Sequence, residues 1–342
     1  MGEVISLNPD LKVKSPEYID FLFGRVADGI KANKPELAQM MVDFALTPNE
    51  HLEALDNIFE YCFKGKCPSD TPKIFLVISQ TGGGKSGLTA EILRNNPNTV
   101  VIDSDAFKAF NPKKHEIEKN YPTLYGFLTG LDAYLHRDEI YDWALDQGYN
   151  VLIEVAPSTK ERLFNINFEE LLAHGYKIEA NILAVSLANS LVSVHERFEG
   201  QIEGGMDAPK LTDLKRATDS FDAVELILKD ILDLDFVDLK VWRRGKFCNE
   251  DEEMVPPPQL VSESKETAQE DFKNARVQDE SLAMETIDER IQMVKDSMKQ
   301  RNAPEDQIEQ FKKIIDVIEQ AKKALNIKPK SSSSKPNPKD ND

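Results

Sequence analysis

The strongest constraint on this chain is a junction at residues 74–86. Ile74-Phe75-Leu76-Val77-Ile78 is an unbroken apolar run closed by turn residues, the pattern of a strand buried on both faces of a parallel sheet. Directly behind it come Ser79-Gln80-Thr81-Gly82-Gly83-Gly84-Lys85-Ser86 and a helix-like Gly87-Leu88-Thr89-Ala90-Glu91-Ile92-Leu93. Strand, glycine-rich loop and helix in that order make a P-loop in the context the motif requires. Glycines let the backbone wrap an anion, so that successive N–H groups and the helix N-terminus point at it. Gly82, Gly83, Gly84, Lys85, Ser86 and Gly87 are the expected ATP-binding residues. Lys85 would reach the β- and γ-phosphates and the Ser86 hydroxyl would ligate Mg²⁺. Ser79 stands where the strict pattern has glycine, at the entrance of the loop and not in its core.

Further apolar runs at 99–102, 150–155, 178–185 and 236–241 predict more strands, and 132–147, 160–174, 189–203 and 211–234 are long enough for helices between them. The alternation predicts an α/β fold: a parallel sheet carrying the P-loop, with helices on both faces. Ahead of it, Ser15 as cap and Pro16 at the first helical position open a helix carrying Ile19, Leu22, Val26 and Ile30. A short second helix follows at 34–46. Thr47-Pro48-Asn49-Glu50 reads as a capping box leading into Leu52, Leu55, Phe59 and Phe63, giving three N-terminal helices. Beyond Asn249, Asp251-Glu252-Glu253 and Pro256-Pro257-Pro258 read as a linker that ends the sheet domain. Ile287, Ile291, Val294 and Met298 form one helical stripe and Ile308, Phe311, Ile315, Ile318 and Leu325 another, predicting a C-terminal helical hairpin that packs on the sheet domain or pairs with another chain. The expected division is an N-terminal extension at 1–47, a P-loop sheet domain at 48–250, a linker at 251–265, the hairpin at 266–327, and a disordered tail at 328–342.

Sixty acidic against 42 basic residues leave a net charge of −18, which argues against binding a polyphosphate backbone. Apolar runs are strand-sized, so no membrane span is expected. Cys62, Cys67 and Cys248 have no metal-ligand spacing, and the N-terminus lacks the pattern of a signal peptide, which points to a reducing cytoplasm. Met1-Gly2-Glu3-Val4-Ile5-Ser6 fits the loose N-myristoylation pattern and is read as a chance match.

A P-loop specifies phosphate without specifying chemistry. Val100-Val101-Ile102-Asp103-Ser104-Asp105 ends a strand in two alternate carboxylates, at the edge where α/β sheets bind ligands. Either could serve as the base for an attacking hydroxyl or hold Mg²⁺ through water, and Asp103 could equally be a loop cap. Val151-Leu152-Ile153-Glu154 also ends in a carboxylate, and burial there would be costly without a cation, which makes Glu154 a substrate or Mg²⁺ contact. Arg197 lies in a predicted helix from which it could cover a γ-phosphate.

Together these blocks, with 146–154 and Glu196-Arg197-Phe198-Glu199, resemble the zeta toxin family of bacterial P-loop kinases over residues 48–249. The resemblance implies a kinase that phosphorylates a sugar hydroxyl of UDP-N-acetylglucosamine with ATP and so blocks cell-wall precursor use. By position it implies that Asp105 is the base, Lys85 and Ser86 serve ATP and Mg²⁺, and Asp103 and Glu154 face the substrate. It also makes Arg197 a γ-phosphate ligand. The family's second arginine has no match in 205–210; Lys210 or Arg216 is the candidate replacement, Lys210 being a point charge and not a planar fork. The family's histidine-proline appears as Asn111-Pro112. Family toxins are held inactive by a separate three-helix antitoxin, so one of the helical appendages here is a candidate built-in inhibitor or partner-binding module, the N-terminal one equally a cap on the sheet's flank. Two other readings stay open: a kinase for another nucleotide such as NAD, and an ATP-binding regulator whose chemistry has decayed.

Overall fold

The computed structural model describes residues 14–159, 166–205, 209, 211–245 and 257–325. Helices α1 (Pro16–Arg25), α2 (Asp28–Asn33), α3 (Pro35–Phe44) and α4 (Pro48–Phe63) precede β1 (Lys73–Ile78), α5 (Lys85–Asn95) and β2 (Thr99–Ile102). Next come α6 (Ser104–Phe107), α7 (Lys114–Asn120), α8 (Tyr125–Leu128), α9 (Gly130–Asp146), β3 (Asn150–Val155), α10 (Phe168–Ala173) and β4 (Lys177–Ala184). The chain continues through α11 (Leu187–Glu203), α12 (Leu214–Leu232), β5 (Val237–Arg243), β6 (Gln259–Ser262), α13 (Ala268–Met284), α14 (Ile287–Gln300) and α15 (Glu305–Ala324).

The strands form one sheet in the order β2-β3-β1-β4-β5-β6, parallel except for β6. Strand periodicity splits β1 between two cores. Ile74, Leu76 and Ile78 share one with α4, α9, α12 and α13, while Phe75 and Val77 share the other with Leu88 and Ile92 of α5. Helices therefore cover both faces, and the central strand is buried from Ile74 to Ile78.

Two sequence readings need correction. The first predicted helix stops at Arg25, because Val26 and Ala27 are extended, and α2 restarts as a separate turn. Four helices result in place of three, and Tyr18 and Leu22 are the buried residues of α1 while Ile19 is exposed. Second, the stretch read as linker carries β6, which pairs antiparallel with β5, and Phe272 of α13 joins the main core. The sheet unit thus does not end at residue 250. Strand β6 escapes periodicity because it is an edge strand with three of its four residues exposed, so no apolar alternation is required of it. The two predicted C-terminal helices pack inside the chain, with Ile291, Val294, Phe311 and Ile318 against Leu191 and Val192 of α11. The N-terminal motif, the tail at 328–342 and Lys210 lie outside the described residues. Among the described residues, no helix is long and apolar enough to cross a membrane.

Candidate active site

The P-loop runs from the end of β1 to the first turn of α5, and each of its glycines meets a steric demand. Gly82 has φ +76°, and a Cβ there would collide with the Ser190 carbonyl and lie 2.8 Å from Val194 Cγ2. A Cβ on Gly83 would run into Ser79 Oγ. Ser79, fully buried, thus fills the space that the missing side chain of Gly83 leaves, which is how the loop tolerates serine at its entrance. Gly84 caps α5 with φ +88°, a conformation reserved for glycine. Gln80 ties the loop to neighbouring elements by donating to the Val185 carbonyl (2.8 Å) and to Ser190 Oγ (2.7 Å). The result is a rigid cradle of backbone amides at a helix N-terminus.

Lys85 folds over this cradle, its Nζ 3.5 Å and 3.4 Å from the Ser79 and Gln80 carbonyls. Burial pushes its pKa down to about 8; Arg197 and Arg216 push the same way, and Glu154 opposes them. Lys85, Glu154, Arg197 and Arg216 therefore share one electrostatic neighbourhood, to which an arriving phosphate would bring the missing negative charge. Asp105 joins it, since its carboxylate acts on Arg197, whose own pKa is lowered by burial.

Around the cradle, Asp103 Oδ1 accepts the Asp105 N–H at 2.9 Å and so caps α6. The Asp105 carboxylate, 60% exposed, accepts from Lys108 Nζ at 2.8 Å. Glu154 is exposed and accepts from Thr89 Oγ1 at 2.6 Å. The premise of a buried charge at the β3 terminus is therefore wrong; the strand end opens on a cleft. Arg216 donates to the Ala156 carbonyl at 3.1 Å, which sets this arginine beside the β3 terminus. A cleft of about 1490 Å³ extends from Lys108, Glu154 and Arg216 outward.

Sequence reasoning missed Arg244. It follows β5, donates to Ser193 Oγ (2.8 Å) and toward the Gly82 carbonyl (3.5 Å), and would sit 3.3 Å from a Cβ on Gly84. Its only sequence signal is a basic pair at a strand end. Thr89 and Lys108 were legible only as helical neighbours of Lys85 and Asp105.

Comparison with known proteins agrees with this geometry. The zeta toxin family model matches residues 60–250. The chain is 30% identical to the toxin zeta of Streptococcus pyogenes over 156 residues, 45% of this chain and 53% of that protein. It is 31% identical to the toxin zeta of Enterococcus hirae over 147 residues, 42% of this chain and 50% of that protein. The chain thus spans about half the length of the curated relatives it matches. A structure from the PezAT chromosomal toxin-antitoxin system of Streptococcus pneumoniae superposes with a TM-score of 0.59 at 19% identity, covering 73% of this chain and 98% of that one. That superposition shows a shared fold. With a phosphate cradle at the end of β1, carboxylates at the ends of β2 and β3, and a family match over the segment that carries them, this chain belongs to the zeta toxin family.

Proposed function

We propose that the protein is an ATP-dependent kinase that transfers the γ-phosphoryl group to a sugar hydroxyl of a nucleotide-linked acceptor, with UDP-N-acetylglucosamine the first candidate. The observation that carries this reading is the convergence of Lys85, Arg197 and Arg216 with Glu154 and Asp105 around one glycine cradle. Phosphoryl transfer asks little covalent work of a protein and much positioning and charge neutralisation. In this reading the loop amides and Lys85 hold the β- and γ-phosphates, while Arg197 and Arg216 offset charge on the transferred group. Asp105 accepts the hydroxyl proton as the acceptor oxygen bonds to phosphorus and the bond to the ADP oxygen breaks. Lys108, 2.8 Å from Asp105, orients that carboxylate.

Magnesium suits the donor set: the Ser86 hydroxyl at the start of α5 and the carboxylates of Asp103 and Glu154 are hard oxygen ligands, and phosphate oxygens would complete the shell. When bound, the ion neutralises phosphate charge. A separate antitoxin would act by covering this cleft or the cradle.

The test is phosphorylation by the full chain with MgATP of a panel holding UDP-N-acetylglucosamine, UDP-glucose, NAD and nucleosides. Asp105→Asn should lower turnover by about 10²-fold or more while ATP still binds. Equal turnover in the variant would remove Asp105 from the reaction, and turnover of NAD alone would move the acceptor class.

A further inference from the structure

The cleft that begins at Lys108 and Glu154 does not end within the segment the family model matches. Its far wall is built by the N-terminal extension: Arg25 at the end of α1, then Ala27, Ile30 and Met41. That wall is fixed. Leu22 is fully buried and Tyr18 nearly so, in a core shared with Leu128 of α8 and Leu131 of α9. The Leu46 N–H donates to the buried Asp132 carboxylate at 3.0 Å, closing the same joint from the other end. A segment so anchored is part of the cleft and is not a lid resting on it.

The groups displayed there are chemically specific. Arg25 and Arg137 both pair with the single carboxylate of Asp138, the Arg137 Nε at 2.9 Å, and both guanidiniums stay more than 40% exposed. The wall is of mixed charge, since Glu170 lines it too, so what the two arginines offer a ligand is the directional geometry of their guanidinium forks. The same wall exposes aromatic rings: Tyr134 is 51% exposed with the Arg137 guanidinium 5.1 Å from its centroid, and Phe127 is 40% exposed. Planar forks suit phosphate oxygens, and uncovered rings suit a heteroaromatic base. The volume of about 1490 Å³ exceeds what a monosaccharide fills and accommodates a ligand of nucleotide size.

We infer that the N-terminal extension forms the distal half of the acceptor site, with Arg25 and Arg137 binding the diphosphate of a nucleoside diphosphate conjugate and Tyr134 and Phe127 facing its base. This rests on the kinase reading for the identity of the near half and assigns the far half independently. It gives α1–α3 a role in acceptor choice in place of inhibition.

The experiment measures acceptor binding apart from turnover. The full chain is saturated with a non-hydrolysable ATP analogue, and UDP, UDP-N-acetylglucosamine, ADP, NAD and pyrophosphate are titrated by calorimetry against wild type, Arg25→Ala, Arg137→Ala and Arg25→Lys. Each alanine variant should weaken a nucleoside diphosphate ligand by about tenfold or more, with Arg25→Lys intermediate because it keeps the charge without the fork. Affinity for the ATP analogue and the melting temperature should stay at wild-type values, since both side chains are half exposed. Where turnover is measurable, KM for the acceptor should rise by the same factor. Unchanged acceptor affinity in both alanine variants overturns the inference, as does parallel loss of ATP-analogue affinity, or a wild type that binds no member of the panel. Binding that is lost in Arg25→Ala while wild type phosphorylates nothing keeps the assignment of the wall and rejects the kinase reading.

Discussion

Removal of the Arg290 guanidinium should be the most damaging single truncation outside the P-loop. Arg290 lies on α14 at 1% exposure. Its Nε and Nη2 pair bidentately with Glu196 at 2.7 and 2.6 Å, its Nη1 reaches Asn189 Oδ1 at 2.8 Å, and Nη2 reaches Ser193 Oγ at 2.8 Å. All three partners are on α11, where Glu196 immediately precedes Arg197. Nearby, Arg301 grips the buried Glu199 bidentately at 2.6 and 2.7 Å. Deleting one member of such a buried pair costs about 3 to 5 kcal/mol, because the remaining charge is left without its partner, and that is a third or more of a typical domain's stability. Spread over a chain this long, each kcal/mol moves the melting temperature by about 2 °C. Arg290→Ala should therefore melt roughly 6 to 10 °C below wild type by scanning calorimetry or dye binding. Arg290→Met with Glu196→Leu should recover most of the loss, since a matched apolar pair removes the stranded charge. An Arg290→Ala protein melting within 2 °C of wild type would refute the reasoning, as would a double variant no better than the single.

Gly82→Ala should abolish nucleotide binding by calorimetry or fluorescent-nucleotide titration, because its Cβ collides with the Ser190 carbonyl at a φ of +76° and the loop must move to relieve it; wild-type affinity would reject the cradle geometry. Stability should fall on acidification between about pH 6.5 and 4. The buried His195 and His136 have folded pKa values lowered by desolvation to about 4 and about 3, so the unfolded chain takes up protons that the native state refuses. Asp132, raised to about 6 by burial, binds a proton in the native state and offsets part of this, leaving a net loss of about 4 kcal/mol by pH 4; urea midpoints that do not drop over this range would contradict the assignment. Neither ring nitrogen of His195 has a hydrogen-bond partner among the described residues, so His195→Leu should raise stability by about 1 kcal/mol and flatten that pH profile. Thr47→Ala, which opens the capping box with Glu50, should lower the urea midpoint by an amount equivalent to about 1 kcal/mol.

What the sequence determined by itself is what short-range physics governs. The run from Ile74 to Ile78, the glycines behind it and the helix after Lys85 act over neighbouring residues, so strand, loop and helix are written contiguously. The carboxylates at the ends of β2 and β3 follow from strand ends alone, and the Thr47 capping box is a four-residue signal that appears in the structure with both of its hydrogen bonds. Where local signals were weak the reading slipped. The burial of Tyr18 in place of Ile19 reflects how α1 is turned in the core it shares with α3, α8 and α9, and the exposed β6 offered no apolar pattern to read. The tertiary structure decided what the arginines hold. Arg216, Arg244 and Arg290 find their partners 60, 51 and 94 residues away, and nothing in a neighbouring residue marks one arginine as buried and another as solvated. The junction of α1 with α9 that extends the cleft is likewise a product of packing: Leu22 and Leu131 are buried in one shared cluster, and burial is a property of the folded whole.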